Sequence, residues 1–299
     1  MTGPADPPLN WPHRAASRLV QAGGVDWHVQ RFGDGPPLVL IHGTGASAHS
    51  YRALADRLSG RFEIVMADLP GHGFTGALPA PTLTRVAAAL SALLDHLKVE
   101  PALLAGHSAG VAIALEMTLK RPASPRAVIA LAPALKPFGG PAQGLAAGAL
   151  NLALLNPVTP RLLARRASRE RVARLIERTG SRLDEEDLAL YTRLFARPSH
   201  IAGTLALMGH FKLEPLLDRL HTLTTPVTVL AGERDRATPL RDITRATRRI
   251  PGARLFGLSG LGHLLHEEDP DTVAEHIHAI ADRAGLSVQA PMQAAGGAR

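Results

Sequence analysis

The stretch LAGHSAG, residues Leu104–Gly110, decides how the rest of the chain is interpreted. It follows a short apolar run and precedes a run whose apolar residues have helical spacing. Residues Gly106–Gly110 fit the pattern G-x-S-x-G, in which the glycines permit a strand-to-helix turn too sharp for larger side chains. Such a turn lifts the hydroxyl of Ser108 above the edge of a sheet. The other interpretation is a tight turn without chemistry, and the surrounding sequence decides between the two.

The surrounding chain alternates strands with helices. Short apolar runs bounded by turn residues predict strands at Arg18–Ala22, Val25–Arg31, Pro37–Ile41, Phe62–Ala67, Ala102–Ala105, Ala127–Leu131, Val227–Ala231 and Arg254–Leu258. Helical spacing of apolar residues predicts helices at Ser50–Leu58, Leu83–Leu97, Ala109–Lys120, Leu240–Arg249 and Asp271–Arg283. This alternation predicts an α/β fold with a mostly parallel sheet flanked by helices.

One long segment interrupts the alternation. Residues 133–220 contain no strand-like run and are rich in Ala, Leu and Arg with proline breaks, which predicts a set of short helices. Inserted after the sixth strand, these helices can cover the carboxyl ends of the strands, where α/β sheets place their sites. We therefore predict an N-terminal extension (1–17), a core (18–132 and 221–285), a helical cap (133–220) and a disordered tail (286–299).

A nucleophilic serine needs a base and an acid that orients the base. Asp235 follows the predicted strand at Val227–Ala231, and His263 follows the strand at Arg254–Leu258. Both therefore fall at carboxyl ends of strands, at the same sheet edge as Ser108. The order Ser, Asp, His along the chain fits a catalytic triad on such a sheet. Glu233 is the rival acid, but it lies closer to the preceding strand, so we expect it to have a structural role.

A serine hydrolase also needs two backbone donors for the negative charge that develops on the substrate oxygen. Ala109 supplies one N–H because it opens the helix after the turn. The second donor is expected in the loop His42–Gly45, after the third strand, and Thr44 is our choice. These two amides form the predicted oxyanion hole.

Charge is concentrated in one part of the cap. Of the formal net charge of +7, eight arginines and two glutamates between Arg161 and Arg182 give a local net charge of +6. This segment is either a solvated helical face or a surface that attracts an anionic group, for which Arg161, Arg165 and Arg166 are candidates. Aromatic residues make up 4% and do not interleave with the arginines, so no nucleic-acid partner is predicted.

The composition bounds cofactors and location. The chain has no cysteine, which excludes disulfides and thiolate metal sites and fits a cytoplasmic location. The histidines lack a third ligand at suitable spacing, so neither a metal nor a cofactor is predicted. The N-terminal residues have no apolar core of a signal peptide, and no apolar run is long enough to span a membrane.

Five short motifs resemble the α/β-hydrolase superfamily over about residues 18–283: HGTGAS, DLPGHG, GHSAG, GERD and GLGH. A serine at the turn distinguishes the chain from the dehalogenase and epoxide-hydrolase branches, which carry aspartate there. Trp11–Arg52, GHSAGVAIALEM, PALKPFGG and LNPVTPRLLARRA resemble the magnesium-chelatase accessory proteins of bacteriochlorophyll biosynthesis. This narrower resemblance implies a role around magnesium insertion into protoporphyrin IX and contact with chelatase subunits.

These observations favour a serine ester hydrolase that acts on a small hydrophobic or tetrapyrrole-like ester. The apolar run Gly144–Leu155 either packs over the active site or forms a surface for a lipophilic ligand or for peripheral contact with the inner photosynthetic membrane. Candidate pocket residues of the cap are Phe138, Leu145, Leu150 and Leu154. Two alternatives stay open: a non-catalytic accessory that binds porphyrin or chelatase, and a general carboxylesterase unrelated to pigment.

Overall fold

Eight strands form one sheet in the order β1-β2-β4-β3-β5-β6-β7-β8 in the computed structural model, which describes residues 6–121, 125–136, 156 and 158–286. The strands are β1 Ser17–Ala22, β2 Val25–Phe32, β3 Pro37–Ile41, β4 Glu63–Ala67, β5 Leu103–His107, β6 Ala127–Leu131, β7 Val227–Gly232 and β8 Arg254–Leu258. Strands β3 to β8 pair in parallel, whereas β2 is antiparallel to β1 and β4. Each strand predicted from the sequence is present, with ends that differ by at most two residues.

The α-helices of the described chain lie between these strands. They are α1 Arg52–Leu58, α2 Leu83–His96, α3 Ala109–Lys120, α4 Val158–Arg165, α5 Arg169–Glu177, α6 Glu185–Phe195, α7 Pro198–His210, α8 Glu214–Leu217, α9 Leu240–Thr247, α10 Leu265–Glu268 and α11 Pro270–Arg283. The first predicted helix begins later than expected because Ala48–Tyr51 forms a 3-10 turn before α1. Helix α10 was not predicted, since four residues are too few to show a helical period.

The sheet carries a hydrophobic core on each face, because successive strand residues point to opposite sides. Val39 and Ile41 pack in a cluster with residues of α2 and α3, whereas Leu38 and Leu40 pack with residues of α1 and α11. This two-sided burial explains why the central strands are continuous apolar runs rather than alternating ones. It also fixes the carboxyl ends of the parallel strands at one edge.

Helices α4 to α8 lie between β6 and β7, in the segment predicted to be a helical cap. The candidate pocket residues Phe138, Leu145, Leu150 and Leu154 lie outside the described residues. None of the described helices has the length and apolar character needed to cross a membrane.

Leu286, the first residue of the predicted tail, lies within the described residues. We expected the disordered tail to begin at Leu286, but Leu286 is buried in the core cluster that contains α11. Its carbonyl accepts a hydrogen bond of 2.7 Å from Nη2 of Arg61. Ala284 and Gly285 separate Leu286 from α11, and residues 287–299 lie outside the described residues.

Candidate active site

Ser108 sits on a strained turn between β5 and α3. Its backbone has φ 52° and ψ −116°, a conformation that L-residues adopt only when the surrounding structure imposes it. The neighbouring glycines explain how this turn is accommodated. A Cβ at Gly110 would overlap the carbonyl oxygen of Ile41, and a Cβ at Gly106 would lie 2.5 Å from the carbonyl oxygen of Gly110. Close backbone packing therefore holds the serine at the carboxyl edge of the sheet.

Asp235 and His263 form a hydrogen-bonded pair at the same edge. Oδ2 of Asp235 lies 2.8 Å from Nδ1 of His263, and both residues are buried. The backbone amides of Ala237 and Thr238 each donate a 2.8 Å hydrogen bond to Oδ1 of Asp235, and the Thr238 hydroxyl donates a 2.6 Å bond to Oδ2. This carboxylate is fully oriented by its own loop. The rival acid, Glu233, is exposed.

Ser108 and His263 line the same cavity, which has a volume of about 380 Å³. Thr44 and Ala109, whose amides are the predicted oxyanion donors, line it as well. Ala109 is the first residue of α3, so its N–H has no acceptor within the helix. A Cβ at Gly43 would lie only 3.0 Å from Cβ of Ser108, so the loop that carries Thr44 runs close to the serine.

The walls of this cavity are apolar. The cap contributes most of them, through Val172, Leu175, Ile176, Tyr191, Phe195 and Met208. The described residues that line the cavity include no Asp, Glu, Lys or Arg. A ligand in this space therefore meets hydrophobic surface except at Ser108, His263, His107 and a few hydroxyl and backbone groups.

A second cavity, of about 240 Å³, meets the first at Ser108 and His263. Its lining includes Lys136 and Asp242, whose Nζ and Oδ2 atoms lie 3.1 Å apart. The two side chains neutralise each other at this side of the site. The described surface around the serine is thus apolar on one side and carries a single ion pair on the other.

The arginines proposed to bind an anionic group lie elsewhere. Arg161 and Arg165 belong to α4, Arg166 follows it directly, and all three side chains are exposed. None of them lines either cavity around Ser108. Any role of these arginines toward an anion is therefore one of the outer surface of the cap.

A cap segment that sequence reasoning missed holds the loops of both Asp235 and His263. The amide of Arg236 donates a 2.9 Å hydrogen bond to the carbonyl of Thr179, and the amide of Leu264 donates a 2.8 Å bond to Oγ of Ser181. Between them, a Cβ at Gly262 would collide with the backbone of Gly180, and a Cβ at Gly180 would collide with the carbonyl oxygen of Arg234. No local pattern marks residues 179–181, because their partners lie more than fifty positions away in the sequence.

Two buried histidines form hydrogen bonds with backbone groups, and one of them, His107, also lines the cavity. Nε2 of His107 lies 3.0 Å from the backbone carbonyl of His263, and burial lowers the pKa of His107 well below its usual range. The neutral ring therefore donates to that carbonyl and holds the loop. Nε2 of His42 accepts a 2.8 Å hydrogen bond from the amide of Leu69.

In the described residues, no group of three or more His, Asp or Glu side chains is arranged to hold a metal ion.

A buried carboxyl on α10, that of Glu267, joins the cap to the core. Oε1 of Glu267 accepts hydrogen bonds of 2.8 Å from the Tyr191 hydroxyl and 2.6 Å from the Ser50 hydroxyl. Burial raises the pKa of Glu267 to about 8, so this carboxyl is mostly protonated near neutral pH. Nearby, Nε of Arg52 donates a 2.7 Å hydrogen bond to Asp187 of α6. Helix α6 is therefore fixed to the core at two points.

Comparison with known proteins identifies the family. A model of the alpha/beta hydrolase family matches residues 38–276. The chain is 40% identical to the magnesium-chelatase 30 kDa subunit of Rhodobacter capsulatus over 88% of this chain and 94% of that protein. It is 29% identical to a pimeloyl-[acyl-carrier protein] methyl ester esterase of Xanthomonas campestris over 84% of this chain and 97% of the esterase.

Solved structures agree on the fold. An alpha/beta hydrolase fold protein from Burkholderia ambifaria superposes with a TM-score of 0.72 at 24% identity, covering 87% of this chain and 97% of that one. An esterase from Exiguobacterium antarcticum superposes with a TM-score of 0.73 at 19% identity, covering 88% and 98%. The chain therefore belongs to the alpha/beta hydrolase family and, within it, resembles the magnesium-chelatase 30 kDa subunit.

Proposed function

We propose that the chain is a serine ester hydrolase. Ser108 attacks the carbonyl carbon of the ester, and Nε2 of His263 takes the hydroxyl proton and later returns it to the leaving alcohol. Asp235 holds the imidazole in the tautomer with a proton on Nδ1 and stabilises the imidazolium. The amides of Thr44 and Ala109 stabilise the tetrahedral oxyanion. A water molecule, which gives a proton to Nε2 of His263, then attacks the carbonyl carbon of the acyl-enzyme. The proton passes to Oγ of Ser108 as the acid product leaves.

One observation carries the proposal: His263, joined to Asp235 at 2.8 Å, borders the same cavity as a serine on a strained turn. A turn with a purely structural role needs neither an oriented imidazole nor a cavity beside it. The three hydrogen bonds donated to Asp235 add support, because they hold its carboxylate facing Nδ1 of His263.

The apolar cavity favours a neutral, hydrophobic acyl group, and p-nitrophenyl esters of increasing acyl length test this. Each methylene buried in such a cavity contributes about 0.8 kcal/mol, so kcat/KM should rise about fourfold per methylene until the cavity is filled. Purified protein would be assayed with acetate through octanoate esters.

The matched control is an ester of equal length whose acyl chain ends in a carboxylate. We expect it to react far more slowly than the neutral ester, because the described lining offers no cation to pair with it. Equal rates for the two esters, or no dependence on acyl length, would contradict the assignment of the apolar cavity as the acyl site.

Thr238 is proposed as a positioning residue for Asp235. Its hydroxyl donates at 2.6 Å to the carboxylate oxygen that also contacts His263. Hydrogen bonds to charged groups contribute about 1.5–3 kcal/mol, so Thr238→Val should lower kcat by about tenfold to a hundredfold with little change in KM. Thr238→Ser keeps the hydroxyl and should restore most of the rate. A Ser variant as slow as the Val variant would argue for packing rather than for the hydrogen bond.

We also propose the pathway to which this activity belongs. The similarity to a magnesium-chelatase 30 kDa subunit supports a role around magnesium insertion in bacteriochlorophyll biosynthesis, with a tetrapyrrole-like ester as ligand. The similarity to a methyl ester esterase supports ester hydrolysis as the reaction.

A second candidate is an accessory that binds porphyrin or chelatase subunits without turnover, and the chelatase name of the 40% identical relative favours it. Pigment accumulation separates the two candidates in a bacteriochlorophyll-producing strain that depends on this gene. Under the hydrolase proposal, Ser108→Ala fails to restore pigment just as a full deletion does. Normal pigment with Ser108→Ala and none with the deletion would favour the accessory role.

A further inference from the structure

The exposed apolar side chains of the described chain are concentrated on the cap. The large apolar residues with 43–61% of their surface exposed there are Val158, Leu162, Leu163, Leu175 and Met208. Elsewhere in the described residues only Leu9 and Leu19 are comparably exposed. A concentration of apolar side chains on one outer surface marks an interaction site rather than ordinary surface composition.

Helix α4 shows how this surface is built. Its buried residues are Pro160 and Ala164, four positions apart and therefore on one face of the helix. The opposite face carries Val158, Leu162 and Arg165. Val158 is 61% exposed, so this face of the helix has no partner in the described chain.

Arginines accompany the apolar residues. Within the described part of the chain, Arg161, Arg165 and Arg166 have no carboxylate within ion-pair distance, and all three are exposed. The surface continues into α5, since Nη1 of Arg171 donates a 2.8 Å hydrogen bond to the carbonyl of Arg166. Helix α5 adds Arg174 to the exposed basic residues. Apolar side chains interleaved with unpaired arginines complement a surface that has both lipid tails and negative headgroups.

The same surface reaches the mouth of the catalytic cavity. Leu175 of α5 and Met208 of α7 both line the cavity, yet they are 46% and 45% exposed. They therefore form its rim, where the apolar interior meets the outer face of the cap. Helix α4 packs against α7, which carries Met208.

We propose that this cap surface, formed by α4, α5 and the rim residues Leu175 and Met208, docks on an anionic phospholipid bilayer. The arginines contact lipid headgroups, and Val158, Leu162 and Leu163 enter the interfacial region. Docking places the mouth of the apolar cavity at the membrane, where a hydrophobic substrate is concentrated. This last point rests on the proposed hydrolase activity, whereas docking itself does not.

Vesicle co-sedimentation tests the docking. The protein carrying Ser108→Ala would be mixed with vesicles of phosphatidylcholine alone or of phosphatidylcholine with phosphatidylglycerol, so that binding is read without turnover. We expect binding to the anionic vesicles only, weakened by salt. The triple variant R161Q/R165Q/R166Q should bind about 100-fold more weakly, because each basic residue near an anionic surface strengthens binding by about fivefold.

The control removes the same charge at the other edge of the sheet. Arg126, Arg254 and Arg283 are exposed and line a cavity beside the amino ends of β6 and β8, and R126Q/R254Q/R283Q should bind like the parent protein. For the apolar part, Leu162→Asn should weaken binding and Leu19→Asn on β1 should not. Melting temperatures and hydrolysis of a soluble short ester, measured with Ser108 present, show that each variant is folded.

Three results would overturn the proposal. The first is absence of binding to anionic vesicles by the folded parent protein. The second is equal loss of binding in the two triple-arginine variants, which would show attraction by net charge alone. The third is a large fall in melting temperature in Leu162→Asn without an effect on vesicle binding, which would show that the chain itself covers this face. Loss of hydrolysis with intact vesicle binding would contradict the proposed function and leave the docking surface supported.

Discussion

Replacing Ser108 by alanine is expected to abolish ester hydrolysis while the melting temperature changes little. The variant removes the attacking oxygen, and in a working triad the loss of the nucleophile lowers kcat by about 10⁶-fold. The serine side chain is partly exposed to the cavity, so its removal creates no void in the core. Initial rates with a neutral p-nitrophenyl ester, measured at saturating substrate, give the comparison.

The control for this variant is Ser91→Ala, the same chemical change at a residue of α2 that does not line the cavity. It should keep the parent rate. If Ser108→Ala hydrolysed the ester within tenfold of the parent protein, another group would be the nucleophile and the proposed roles of His263 and Asp235 would fail with it.

Asp235→Asn is expected to lower kcat by about 10⁴-fold, the scale found when the acid of a triad loses its charge. The carboxylate accepts from Nδ1 of His263 at 2.8 Å, which leaves Nε2 free to take the serine proton. An asparagine can present its amide N–H toward that nitrogen instead and favour the wrong tautomer. Because asparagine has the same shape as aspartate, we expect the variant to melt near the temperature of the parent protein. Measuring the melting temperature checks that the loop is intact.

Glu233→Gln is the matched control for the acid. Glu233 lies two residues before Asp235 and is exposed, so its charge contributes little to the site. We expect the parent rate from this variant. A large fall in Glu233→Gln together with a small fall in Asp235→Asn would exchange the roles of the two acids.

The sheet could be predicted because its strands have a recognisable pattern in the sequence. Each central strand is buried on both faces, which produces short apolar runs such as PLVLI at Pro37–Ile41. The proximity of Asp235 and His263 also follows from sequence, since the residues after neighbouring parallel strands β7 and β8 meet at one sheet edge. The alpha/beta hydrolase family expected from the motifs is confirmed by the family match.

The surroundings of the site could not be predicted in the same way. Thr238 is an ordinary loop residue in the sequence, and its bond to Asp235 depends on the shape of a turn. Ser181 and Tyr191 contact the core at Leu264 and Glu267 across 83 and 76 positions. Contacts of that range arise from how the cap packs, which carries no local period. The supporting roles of these residues could therefore be identified only from the structure.

The central claim is that Ser108 is an activated nucleophile in the folded protein. The most direct measurement is reaction with a fluorophosphonate probe, followed by peptide mass analysis to locate the phosphonyl group. We predict one adduct, on Ser108, that forms quickly in the native protein, slowly in Asp235→Asn and not at all after heat denaturation. Absence of an adduct on Ser108 in the native protein, or equal labelling before and after denaturation, would contradict the account.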